Sequence, residues 1–253
     1  MALDEAVLES VQAGTCLPTL RLFSWQPACL SLGQAQPFSD VDVTRLRDQG
    51  WDVVRRLTGG RAILHTDELT YSVIANSSET HLAGSVLESY NRLAGALLAA
   101  VKSLGLAVEM TEHQQVTAKE PNPVCFEVPS TYEITVNGKK LIGSAQARRK
   151  PGILQHGSLP LEGDLSRICQ ALSFSDETAR LSAASRLLLR ATTVESALGR
   201  RVDWQVAAQA FIKGFESVLD LHLEPGELTD EESLRADELV EEKYGHPSWT
   251  QRM

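Results

Sequence analysis

None of the four cysteines, Cys16, Cys29, Cys125 and Cys169, stands in a Cys-x-x-Cys spacing, and the six histidines are just as dispersed. The usual zinc-site patterns are thereby excluded, and no metal is expected. Scattered cysteines of this kind read as free thiols in a reducing compartment. A secretory leader is missing from the composition, because Met1-Ala-Leu-Asp-Glu-Ala-Val7 has neither a basic flank nor an apolar core. Long hydrophobic runs are also missing; the run from Leu93 to Val101 is far too short to span a bilayer. A cytoplasmic location with no membrane partner is therefore expected. Basic residues are outnumbered, 24 against 33 acidic, and the net charge of −9 argues against nucleic-acid binding as the main activity. With neither internal repeats nor low-complexity linkers, residues 1–253 are expected to form a single domain, with about 221–253 as a small C-terminal flap. What is present, 43% hydrophobic and 23% charged residues, suffices for one sizeable core.

Charge is spread unevenly. Nine acidic residues and two basic ones lie between Leu221 and Lys243. Between Ile134 and Leu161, Lys139, Lys140, Arg148, Arg149 and Lys150 stand with no acid among them. Such a run is either a solvated strand pair or a docking surface for an acidic protein or a phosphate.

Periodicity marks the elements. Leu3, Ala6, Val7 and Val11 recur at helical spacing. Thr19–Trp25 and Ala28–Gly33 read as strands, and Asp40 as the N-cap of a helix running to Arg47. Strand character returns at Asp52–Leu57 and Ala62–Leu64, joined by Thr58-Gly59-Gly60, and again at Glu68–Ala75. Ser85–Leu104 is the clearest long helix. Tyr132–Val136, Lys139–Gln146 and Ile153–Leu159 read as strands, the first two joined by Asn137-Gly138, a strong hairpin signal. Leu165–Leu172, Asp176–Leu189, Asp203–Leu219 and Thr229–Tyr244 read as helices, the last opened by the capping box Thr229-x-x-Glu232. Hairpin strands with helices grouped between and after them predict an α+β fold, with mixed or antiparallel sheets flanked by helices.

Three clusters carry chemistry. Cys125 precedes Lys140 by fifteen positions; a reactive thiol and an amine able to acidify it are parts of an acyl-transfer site. Gly59 and Gly60 form either a plain hairpin turn or a turn that lets a ligand approach the backbone. Arg55, Arg56 and Arg61 around it fit a phosphate or carboxylate neighbour. His65, at the end of the next strand, either orients a substrate or is structural. Gly143-Ser144-Ala145, with Gln155-His156-Gly157 beside it, leaves room for a long thin group or for close packing. An apolar slot suits an acyl chain, whose burial is worth about 0.8 kcal/mol per methylene.

The segments Val54-Arg-Arg-Leu-Thr-Gly-Gly-Arg-Ala-Ile-Leu-His65, Glu68-Leu-Thr-Tyr-Ser-Val-Ile74 and Lys140-Leu-Ile-Gly-Ser-Ala-Gln146…Leu154-Gln-His-Gly157 resemble the biotin/lipoate protein ligase superfamily. Within it the chain is most similar to the LipM-type octanoyltransferases of lipoate biosynthesis. Lipoate ligases usually carry a third glycine where Arg61 stands, and a His-Asp-x-Gly-Asn-like run in place of His65-Thr-Asp-Glu-Leu69. The octanoyltransferases have the Gly-Gly-Arg-Ala and Glu-Leu-Thr-Tyr-Ser forms seen here. Their acyl-thioester cysteine precedes a Phe and a Pro-Ser-x-Tyr-Glu run, matched by Cys125-Phe126 and Pro129-Ser-Thr-Tyr-Glu133. From the length, the accessory domain of many lipoate ligases is not expected. Ile142 stands where Ala or Ser is usual, which is expected to narrow the channel, and Thr66 where Asp is common.

The resemblance implies transfer of octanoyl from acyl carrier protein to a lysine of a lipoyl domain, such as that of the glycine-cleavage H protein. Cys125 would carry the acyl thioester and Lys140 would lower its pKa, with no cofactor. Arg56, Gly59, Gly60, Arg61, His65, Tyr71, Gly143, Ser144, Ala145, Gln146, His156 and Gly157 would line the substrate site. Three alternatives remain: an ATP-dependent lipoate ligase, an octanoyl amidotransferase between lipoyl domains, and a non-catalytic module holding an acidic carrier on its basic hairpin.

Overall fold

A computed structural model describes residues 1–112 and 132–252. Cys125 and the flanking Phe126, Pro129 and Ser130 lie outside the described residues.

The strands form two sheets. In the larger, β1 (Thr19–Phe23), β5 (Glu68–Asn76), β9 (Gly152–Pro160), β8 (Lys139–Arg149), β7 (Tyr132–Val136) and β6 (Val108–Glu112) lie side by side in that order, every pair antiparallel. The smaller is β3 (Asp52–Arg55), β2 (Cys29–Leu32) and β4 (Ile63–His65), with β2 parallel to β3 and antiparallel to β4. The α+β reading is thus borne out, with mixed pairing confined to the small sheet.

Alternation divides the large sheet between two cores. Leu69 and Tyr71 face α3 (Val86–Ser103) and α7 (Trp204–Leu219), packing with Leu97, Ala100, Phe211 and Phe215. Ile74 and Leu154 face α1 (Ala2–Ala13), packing with Val7, Leu8 and Val11. The small sheet packs with α2 (Val43–Asp48), α4 (Ile168–Ala171) and α5 (Glu177–Arg190) through Leu30, Leu32, Leu46, Cys169 and Leu187. The remaining helices are α6 (Val194–Leu198), α8 (Asp230–Leu239) and α9 (Pro247–Thr250). Ala236, Leu239 and Tyr244 of the C-terminal stretch bury against Ala2 and Ala6 of α1. Among the described residues no helix is long and apolar enough to cross a membrane.

Local signals explain many boundaries. Ser85 caps α3 in a full capping box with Glu88, and Thr229 does the same for α8 with Glu232, as its sequence predicts. Asn137 and Gly138 both have positive φ, 50° and 73°, as a type I′ turn between β7 and β8 requires. Three expectations need correction. Asp40 ends a short 3₁₀ turn, and it is Asp42 that caps α2 by accepting from Arg45 N at 3.1 Å. The Thr58–Gly60 turn is not a hairpin, because β2 lies between the strands it connects. Strand β6 and helix α6 have no counterpart in the sequence reading.

The basic run likewise fails to make one surface. Lys140 is buried, with Nζ donating to Glu133 Oε1 at 2.9 Å. Arg148 turns its guanidinium onto the carbonyls of Leu82, Gly84 and Ser85 at 3.2, 2.6 and 3.0 Å, tying β8 to the start of α3. Arg149 pairs with Glu5 of α1, and Lys139 Nζ donates to Leu188 O at 2.7 Å. Neighbouring residues on a strand face opposite ways, so a run of like charge is divided among different neighbours.

Candidate active site

Arg55, the last residue of β3, is fully buried, with no carboxylate partner among the described residues. Its guanidinium donates to the carbonyls of Gly33 and Gln36 on one side and of Trp249, Thr250 and Arg252 on the other. Burying a charge costs much unless its donors are satisfied, and here backbone oxygens satisfy them. The residue fastens the C-terminal segment to the loop after β2. Arg56 does the corresponding work for the glycine turn, donating to Ser31 O at 2.9 Å, Gly59 O at 2.9 Å and Arg61 O at 2.8 Å. At these contacts the expected neighbours of the two arginines, phosphate or carboxylate, are replaced by backbone carbonyls, those of the loop after β2 and the C-terminal segment for Arg55 and those of Ser31 and the turn for Arg56.

The turn that Arg56 braces closes one side of a cleft of about 430 Å³ between the two sheets. Eight of the expected residues line it: Arg56, Gly60, His65, Gly143, Ser144, Ala145, His156 and Gly157. Met1, Ser31, Ile63 and Thr70 complete the walls and were not anticipated. Met1 precedes α1 and the other three sit in ordinary strand sequence; only the pairing of β2 with both β3 and β4 brings Ser31 to the site.

Tyr71, Gly157 and Ser144 lie in one row across β5, β9 and β8. The Tyr71 ring passes over Gly157, and its hydroxyl meets Ser144 Oγ at 2.7 Å and accepts from Gln155 Nε2 at 3.1 Å. A Cβ on Gly157 would stand 2.5 Å from Gly143 O and 2.6 Å from Tyr71 Cε1. Close packing therefore requires glycine here. Gly157→Ala should cost about 1–3 kcal/mol of stability, as overpacking does, and push Tyr71 off Ser144. Chemical denaturation checks this; an unchanged midpoint would show that the row relaxes freely.

Tyr71 itself is fully buried under the row, stacked at a tilt on Phe211, and burial pushes its hydroxyl pKa far up, so it stays a neutral phenol. Gln146 is drawn away from the cleft, its amide held by Gln155 Oε1 at 3.0 Å, Ser89 Oγ at 3.1 Å and Arg148 Nε at 3.0 Å. Gly59, Arg61 and Lys140 also fall outside the lining. Ile142 is packed in the core beside Leu141 and Ile134 rather than in the cleft, so it does not narrow the lining.

Two histidines face the cleft in opposite circumstances. His65 Nε2 meets Ser31 Oγ at 2.7 Å, its Nδ1 meets Glu68 Oε1, and Trp25 stacks on its ring at 4.4 Å. Burial raises the Glu68 pKa, but the His65 charge and hydrogen bonds from His65, Ser158 and Thr70 outweigh it and hold the carboxyl below its ordinary value. His156 meets Thr58 Oγ1 at 2.6 Å, while its buried Nδ1 has no hydrogen-bond partner among the described residues. Burial first, then the nearby Arg56, pull its pKa down to about 3, against the opposing pull of Asp4, so it stays neutral.

Residues 1–216 match the family described as the lipoyl protein ligase A/B catalytic domain. The chain belongs to that family. It is 39% identical to the octanoyltransferase LipM of Brevibacillus brevis over 100% of this chain and 94% of that protein. Against the octanoyltransferases LipM of Moorella thermoacetica and Staphylococcus aureus it is 38% and 36% identical, over 100% and 98% of its own length and 93% and 92% of theirs. Such full-length likeness makes this family member an enzyme of the acyltransferase class. Its fold matches a Thermoplasma acidophilum lipoate-ligase-like protein solved with bound lipoic acid, with a TM-score of 0.81 and 25% identity over 100% of this chain and 92% of that one. The bipartite lipoate protein ligase of the same organism, studied with its E2 lipoyl domain, shares the fold at a TM-score of 0.82 and 24% identity, over 99% and 89% of the two chains.

Proposed function

We propose that this enzyme moves octanoyl from acyl carrier protein to a lysine of a lipoyl domain, such as that of the glycine-cleavage H protein, through a thioester on Cys125. The carrying observation is its likeness, over nearly their whole length, to octanoyltransferases named as such. The Cys125 thiolate attacks the carrier thioester, and the carrier thiol leaves. The acceptor lysine then attacks the enzyme thioester, and amide formation draws the sequence forward. No nucleotide is required, because the thioester arrives activated.

Lys140 is the proposed cation beside the thiolate, a charge that favours the ionised thiol. Its contact with Glu133 supports an ammonium held in one place. The cleft walls of Ile63, Gly143, Ser144, Ala145 and Gly157 offer the acyl chain a narrow bed, with the Tyr71 hydroxyl against Ser144; Gly59 and Arg61 would act through the turn that Arg56 holds.

The alternative of an ATP-dependent lipoate ligase draws on the neighbour that binds lipoic acid. One experiment separates them: purified protein is given octanoyl carrier protein, or lipoate with ATP, and then a lipoyl domain. Intact-mass analysis should find octanoyl on the enzyme and then on the acceptor in the first mixture, without ATP. Modification of the acceptor only in the second would replace this reading with the ligase.

A further inference from the structure

Amide formation must dispose of a proton, and the described cleft holds one side-chain chain built to take it. His65 stands between Glu68 and Ser31, with Nδ1 on the carboxylate and Nε2 2.7 Å from the Ser31 hydroxyl. Arg56 Nη1 points to the same hydroxyl oxygen at 3.3 Å and can only donate. Ser31 Oγ therefore accepts from Arg56 and offers its own hydrogen to Nε2. An ionised Glu68 can only accept, so Nδ1 carries the imidazole hydrogen. Both assignments agree on one tautomer, Nδ1–H with the basic lone pair on Nε2, directed at a hydroxyl on the cleft wall. Trp25, stacked on the ring with its own Nε1 bonded to Thr70 Oγ1 at 3.0 Å, prevents the ring from turning away. Glu68 is in turn fixed by Thr70 and Ser158.

We propose that His65, oriented by Glu68 and reached through the Ser31 hydroxyl, is the general base for the acceptor amine in the second half of the reaction. The inference rests on the acyl-enzyme reading above. The neutral amine nitrogen forms the C–N bond to the thioester carbonyl. One of its protons passes to Ser31 Oγ as the Ser31 proton passes to Nε2, and the C–S bond breaks with its electron pair on the cysteine sulfur. The imidazolium beside Glu68 then returns its proton to solvent. The first half-reaction, attack by a thiolate, places no such demand on His65.

Other charged or titratable groups face this pair from the neighbouring elements. They are Arg56 across Ser31, His156 on β9, the amino group of Met1 at the cleft, and Cys29, which lies opposite His65 in register. The Cys29 thiol, raised to about 12 by burial, and the neutral His156 contribute no charge near pH 7.

The test follows single-turnover octanoylation of the enzyme, then single-turnover transfer to a lipoyl domain, in the full chain. In His65→Gln, acylation should stay within a few-fold of wild type while transfer falls about 100-fold or more, the usual scale of a lost general base. Ser31→Ala and Glu68→Gln should slow the same step by smaller factors. The pH profile of transfer should differ between wild type and His65→Gln, in which only the acceptor amine is left to shape it. Equal losses in both half-reactions, or an unchanged pH profile, would overturn the proposal. Normal transfer in Ser31→Ala would overturn the hydroxyl's part in it. Should His65→Gln fail to fold, the Glu68→Gln and Ser31→Ala pair decides by the same split. An enzyme that never forms the wild-type adduct would instead defeat the acyl-enzyme reading.

Discussion

Cys125→Ser should abolish both the acyl-enzyme adduct and octanoyl transfer, whereas replacing Cys16, Cys29 or Cys169 singly should leave both near wild type. A serine hydroxyl ionises far less readily than a thiol and would not trap the acyl group under the same cation. The other three cysteines are poor nucleophiles for reasons their surroundings supply. Cys169 is fully buried among Ile168, Leu172 and Leu187. Cys29 is buried in β2 with its thiol pushed up to about 12, chiefly by burial. Cys16 is half-buried near the end of α1, and burial raises its thiol too. The Cys16 and Cys29 thiols would be almost wholly protonated at neutral pH. Peptide mapping after incubation with octanoyl carrier protein checks this directly; acyl groups on any of the three would sink the assignment of Cys125.

What could be read in advance was whatever the chain settles over a few residues. The Asn137-Gly138 turn and the capping box at Thr229 depend on neighbours within four positions, and each formed as its sequence predicts; the box at Ser85, equally local, starts the helix expected there. The row Gly143-Ser144-Ala145 and the pair His156-Gly157 stand out in the sequence, since small residues in strands need a reason, and they line the cleft. Side-chain destinations were less legible. Arg55, Arg56 and Arg148 look like anion binders in sequence, yet all three spend donors on carbonyls of loops far along the chain or just after them. Those carbonyls have no residue-type signature. Ser31 went unnoticed for the same reason, because its neighbours His65 and Arg56 reach it only through the pairing of β2 with both β3 and β4. Glu68 was noticed in a family motif, but its bond to His65 required β4 and β5 to sit in different sheets with a tight connection between them.

His156 should make the fold acid-labile well above the range of ordinary carboxylates. Its imidazole is held neutral down to about pH 3 by burial and by Arg56, while the unfolded chain takes up the proton near pH 6.5. The sign follows from linkage. Between those two values the unfolded state binds one proton that the folded state refuses, so stability is full above pH 6.5 and falls as pH drops. One refused proton corresponds to a slope of about 1.4 kcal/mol per pH unit, an upper figure for a single group. Urea denaturation at pH 6.5 and pH 5 should therefore differ by roughly 1–2 kcal/mol from this residue alone, before most carboxylates begin to titrate. His156→Gln removes the titration while keeping a polar group to meet Thr58 Oγ1, so its stability should be nearly flat over the same window. The variant will be weaker at pH 7, since glutamine fits the ring's place imperfectly, and the comparison lies in the slopes. Parallel slopes in the two proteins would mean that His156 is protonated in the folded state with help from Asp4, whose carboxylate favours the charged imidazole.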